Sequence, residues 1–197
     1  MGHIKRDSNE SLLLAISGFT VVAVLPFAFL RLIEKDWLIA ALDCLIVVCM
    51  AAIFLHIYKT HKIAIAKYVI SFSFLAGMIL TVLLHGGNQL FWAYPATLAL
   101  YFILPHKQAI TFSAIGLALL MPIAYQLLEA TQLVTLLITV TATNVFSYVF
   151  ARRQSETHEQ LVELSQKDPL TGAGNRRALD NKLEELIYVN KRTTLSA

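Results

Sequence analysis

Residues 37–58 read WLIAALDCLIVVCMAAIFLHIY, a run whose only carboxylate is Asp43 and whose only imidazole is His56. At about 1.5 Å rise per residue, a helix of this length crosses the roughly 30 Å hydrocarbon core of a bilayer. The same texture extends in both directions, with apolar runs at 12–33, 63–84, 89–104, 109–128 and 132–150. Residues 37–150 hold six charged side chains: Asp43, Lys59, Lys62, Lys67, Lys107 and Glu129. The whole chain is 57% hydrophobic and 15% charged, where soluble domains carry about 25% charged residues. A single soluble domain is therefore excluded, and the apolar excess excludes disorder. Eight Gly and two Cys exclude collagen-like and disulfide-rich classes. The expectation is an all-α protein: a six-helix transmembrane bundle over residues 1–150 with a short polar tail.

Short polar breaks separate the six spans: Glu34-Lys35-Asp36, Lys59-Thr60-His61-Lys62, His85-Gly86-Gly87-Asn88, Pro105-His106-Lys107-Gln108 and Glu129-Ala130-Thr131. The fourth span is short and contains Pro95, while Pro26 and Pro122 are expected to kink the first and fifth. With six spans, Lys5, Arg6, Lys59, Lys62, Lys67, Lys107, Arg152 and Arg153 share one side, and only Arg31 and Lys35 lie on the other. The positive-inside rule then places both termini in the cytoplasm. Trp37, Trp92 and Tyr94 fall near the outer boundary, and Tyr58 and Tyr68 near the inner one, as an aromatic belt requires. The first span is too long for a signal-peptide core and ends in no small-residue cleavage site. Arg6 occupies the position where myristoylation needs Ser or Thr. The net charge of +3 is no pointer to nucleic acid, because the basic residues sit where a membrane protein puts them. Cys44 and Cys49 lie roughly 140° apart around one helix, too divergent to pair, and read as core filling.

The predicted outer loops are three to five residues long, so a stimulus must enter through the bilayer or among helix ends. The outer half collects the unusual polar residues Asp43, His85, Asn88, Gln89, Trp92, Tyr94, Gln126 and Glu129. An ionisable group within a span is costly and is a functional candidate by default. Asp43 has two readings: structural pairing with His85 or Arg31, or sensing of a proton or a small lipophilic ligand. The six histidines show no tight ligand spacing, so no metal site is expected. In the sixth span, Thr131, Thr135, Thr139, Thr143 and Ser147 recur every four residues and stay near one helix face. Two readings compete. The hydroxyls form a transmission stripe against a neighbouring helix, or they bond their own carbonyls one turn back.

After Phe150 the composition turns polar. Residues 151–167 read as a helix continuing out of the sixth span, either a homodimer-forming coil with Phe150, Gln154, Thr157, Leu161 and Leu164 on a heptad seam, two of them polar, or a solvated helical linker. Asp168-Pro169 then ends it, because the residue before proline disfavours helical geometry. Thr171-Gly172-Ala173-Gly174 is a turn, and Asn175 is placed to cap a helix through Leu179, Leu183 and Leu186.

The string DPLTGAGNRRAL at 168–179 resembles the motif D-x-L-T-G-L-x-N-R-R that opens bacterial GGDEF domains, the catalytic module of diguanylate cyclases. Asp168, Leu170, Thr171, Gly172, Asn175, Arg176 and Arg177 match, and Ala173 stands where Leu is usual. The resemblance covers residues 168–197 and implies the first helix of an α/β GGDEF domain cut near its start. It implies a sensory input module in the bacterial inner membrane, feeding a cyclase that makes cyclic di-GMP from two GTP. In that family the motif is a structural hinge between input helix and cyclase and binds no GTP itself, which is what the resemblance implies here. No catalytic residue or cofactor is expected in residues 1–197; magnesium and GTP belong to the remainder of the domain. Two other classes stay open. Thr157-His158-Glu159-Gln160-Leu161 resembles the phospho-acceptor box of sensor histidine kinases without its proline, and six spans alone would suit a small transporter or channel.

Overall fold

The protein is described by a computed structural model in which residues 8–166 are defined. Every regular element among them is helical: α1 (Ser8–Ile33), α2 (Trp37–Thr60), α3 (Ala66–His85), a 3-10 segment (Gly87–Trp92), α4 (Ala93–Ile103), α5 (His106–Leu127) and α6 (Ala130–Gln166). Five of these helices, all but α4, are long and apolar enough to cross a membrane. The fourth predicted span instead divides. Its first four residues, 89–92, belong to a 3-10 segment that begins at Gly87, the next eleven wind as α-helix, and Leu104 is extended; Trp92 and Ala93 are both in right-handed helical geometry at the junction. Pro95 sits in the first turn of α4, where a missing N–H breaks no bond. Pro26 and Pro122 lie inside α1 and α5, and both helices run on through them. The expected sixth span and the polar helix after it are one element, α6, of 37 residues.

The turns follow from local chemistry. Between α1 and α2, Lys35 adopts a left-handed φ of 62°. The Asp36 N–H reaches the Arg31 carbonyl at 3.0 Å and the Lys35 N–H the Leu32 carbonyl at 3.3 Å, which is a Schellman closure with a lysine where glycine is usual. His61, also left-handed at φ 57°, caps α2 by donating to the Ile57 carbonyl at 3.0 Å. Gly86, at φ 83°, ends α3. Leu104 is extended because Pro105 follows it, and the Pro105 carbonyl then accepts from Gln108 and Ala109 to start α5.

Residues through Ala151 form one compact unit, and those from Arg152 a second. Within the first unit successive helices alternate in direction. Asp36 faces His85, and Gly87 lies against Leu127 and Leu128 at one end, called here the Asp36 end. At the other, Tyr68 donates to Gln108, and the His106 and Tyr148 rings meet edge to face. α1 and α2 pair in strict antiparallel register: Arg31 against Asp43, Gly18 against Phe54, Glu10 against His61. Glycines also admit close neighbours elsewhere, with Gly77 under Ile46 and Gly116 under Leu75. The centre is apolar, with Met50, Ile57, Ile70, Val82, Leu100, Leu120 and Val140 almost fully buried. Buried hydroxyls bond their own helices, as Ser17 does to Leu13, Ser71 to Lys67 and Thr97 to Ala93.

The outside is apolar as well. Phe19, Val22, Leu45, Val48, Phe72, Ile115 and Phe146 are all exposed. A helix that is hydrophobic all round belongs in a membrane or a large core, and with five such helices this is a membrane protein.

Candidate functional site

α1 and α2 meet at the Asp36 end through one buried ion pair. Arg31 Nη1 donates to Asp43 Oδ2 at 2.8 Å, and the two side chains keep only 10% and 7% of their surface exposed. The pair exists because the short turn folds Asp43 back beside the last turn of α1, where Arg31 also complements the helix C-terminus. Of the two partners open to Asp43 in the sequence, Arg31 is the one taken. His85 turns instead to Asp36, with Nδ1 3.3 Å from Oδ2.

Below the pair lies a cavity of about 70 Å³ bounded by α1, α2, α3, Trp92 and α4. Its walls include Val24, Phe27, Met50, Phe74 and Trp92, with Gly77 lending room. The Phe27 and Trp92 rings meet edge to face, centroids 5.9 Å apart, and the indole N–H donates to Gln89 Oε1 at 3.1 Å.

The polar cluster expected from sequence divides between two places. Asp43 and Trp92 line this cavity, with His85 paired to Asp36 at the same end. Asn88 and Tyr94 line a separate, wider groove between the 3-10 segment, the end of α5 and the start of α6, together with Thr131 and Thr135. Gln126 and Glu129 are exposed and line neither. The hydroxyls of Thr135, Thr139, Thr143 and Ser147 each donate to the carbonyl four residues earlier. Thr139 also meets the Tyr94 hydroxyl across the gap to α4, and Asn144 Nδ2 donates to Thr97 Oγ1 at 3.3 Å. In this chain the stripe is thus bonded mainly to its own helix.

The Arg31–Asp43 pair is one of the two pairings the sequence offers, and the hairpin centred on the 34–36 turn selects it. One feature is not legible in the sequence. Glu10, nearly buried at the other end of α1, meets His61 Nδ1 at 2.9 Å, a contact between residues 51 apart in sequence. No group of three or more His, Cys, Asp or Glu among the described residues is placed to hold a metal. The motif residues Asp168, Leu170, Thr171, Gly172, Asn175, Arg176 and Arg177 lie outside the described residues, as does the whole 168–197 segment. Comparison with protein-family models, with curated proteins and with solved structures finds no match.

What the site offers chemically is binding rather than bond-breaking. An apolar hollow ends in one buried, net-neutral ion pair, with neither a nucleophile–base pair nor two adjoining carboxylates on its walls.

Proposed function

We propose that the chain is the membrane-embedded sensory module of a diguanylate cyclase, resident in the bacterial inner membrane. In this reading the 3-10 segment and α4 together make a fourth crossing, giving six spans with both termini in the cytoplasm. Together they contain 17 residues, about 28 Å at helical rises of 2.0 and 1.5 Å per residue. The single observation that carries the proposal is the motif at 168–177, which begins two residues after Gln166, the last residue of α6. α6 supports it physically: at 37 residues it is about 55 Å long, well beyond the bilayer core. A helix of that length couples its membrane half to whatever follows the motif. Catalysis that joins two GTP molecules needs two cyclase domains face to face, so the module works as a homodimer. The cyclase domain, with its magnesium and GTP, carries the chemistry; the apolar cavity supplies a place for a small lipophilic signal.

The test is a fusion. An active cyclase domain is joined at Asp168 in the register of the motif, and cyclic di-GMP is measured in cells. The fusion is expected to raise cyclic di-GMP severalfold above the same domain expressed alone. A correctly inserted fusion with output equal to that of the free domain would overturn the proposal.

A further inference from the structure

The cavity beside Arg31 and Asp43 has a head and a body of different chemistry. The body is hydrocarbon and aromatic ring: Val24, Ile46, Met50, Phe74 and Met78. The head is the ion pair, joined by a single hydrogen bond from Nη1 to Oδ2. Among the described residues the Arg31 side chain makes no other hydrogen bond, although a guanidinium carries five N–H donors and a carboxylate about four acceptor sites. Spare donors and a spare acceptor therefore stand together at the wall of a mostly apolar hollow. Leaving such groups unmet costs free energy.

Three properties fix what would meet them. The pair is neutral in sum, so an ionic ligand would bring a third, uncompensated charge into a low-dielectric site. A hydroxyl avoids that cost, because its oxygen accepts from Arg31 while its O–H donates to Asp43. The volume of about 70 Å³ admits about five waters at 10–15 Å³ each, so a small ring seats its hydroxyl end there with its far edge toward the opening. Finally, Phe27, one wall of the cavity, is 45% exposed on the apolar outer surface, so the route in runs beside lipid. We propose that this cavity binds a small neutral alcohol or phenol of about six to eight non-hydrogen atoms, its hydroxyl bridging Arg31 and Asp43. The assignment deepens the sensory reading, yet its test needs no cyclase and so fails or succeeds separately.

The chain is placed in phosphatidylcholine nanodiscs with Trp37→Phe, which leaves Trp92 on the cavity wall as the reporter. Three probes of one size are titrated: cyclohexanol, cyclohexylammonium and cyclohexanecarboxylate. Cyclohexanol is expected to shift Trp92 emission saturably, at least tenfold tighter than either ion. Ser73→Leu, which fills the cavity, should abolish the shift; Thr20→Leu replaces it if circular dichroism shows that the first variant is unfolded. Asp43→Asn leaves the site net positive and should turn the preference about tenfold toward the carboxylate. The proposal is overturned by no saturable response to cyclohexanol in folded protein, or by tighter binding of either ion. A shift that survives cavity filling, or a preference unmoved by Asp43→Asn, overturns it equally.

Discussion

Arg31 and Asp43 are each costly alone and tolerable together. Desolvating either charge costs several kcal/mol, which their mutual attraction offsets only while both are present. Arg31→Met strands a carboxylate among Ile46, Met50 and Phe27, and is expected to destabilise the protein by about 3–5 kcal/mol. Arg31→Met with Asp43→Leu removes both charges and should recover most of that loss, because buried pairs are often no more stabilising than well-packed apolar side chains. Reversible unfolding in mixed micelles reads both variants. A double variant no more stable than Arg31→Met would show that the loss has another source. His61 and Glu10 differ from this pair, since the His61 side chain is 43% exposed while that of Glu10 is 7% exposed.

At the scale of elements, α6 shows why one sequence pattern admitted two structures. A hydroxyl every four residues suits a neighbouring helix and suits the helix's own carbonyls equally, because both demand the same spacing. The structure takes the second for Thr135, Thr143 and Ser147, and both for Thr139. Thr135→Val with Thr143→Val should therefore change stability by less than about 1 kcal/mol, while Tyr94→Phe costs about 0.6 kcal/mol, the typical value of an interhelical bond in a membrane. Unfolding of the two variants side by side checks this order, and a larger loss for the valine pair would contradict it. The other elements were legible to within a few residues, since hydropathy alone marks where lipid replaces water. The exception is the fourth span, where Gly86, Gly87 and Pro95 crowd one end. Composition there reports an apolar segment and is silent on whether it winds as 3-10 or α.

For the whole molecule, the surface is the informative part. Large apolar residues cover the outside as well as the centre, whereas a water-soluble bundle is polar outside. Position along each helix could be read from the sequence, because it follows from distance to the helix ends. Azimuth could not, because nothing in one chain states which helices are neighbours around the bundle. That is why Asp43, Asn88, Tyr94, Gln126 and Glu129 were gathered into one cluster at a common height, whereas the fold distributes them around the circumference. The same reasoning sets a topology test. If the 3-10 segment and α4 together cross the bilayer, cysteines introduced at Ser8 and at Gln154 label from the same side of inverted vesicles. Labelling from opposite sides would leave an odd number of crossings.

The α1–α2 hairpin is bolted at two points: Arg31 to Asp43 near its turn, and Glu10 to His61 at its open end. A rod fixed at one point still slides and swivels, while one fixed at two points does neither. Slippage by a single helical turn, about 5.4 Å, would shear both bolts at once. The two ties oppose sliding of α1 along α2, and rocking of the pair about its length is the motion they do not oppose. Its swing would be felt first at the seam with α3 and α4, which is where the hollow lies. An occupant of the kind proposed would act as a wedge there, setting the angle of the hairpin against α3 and α4 and not a displacement along it.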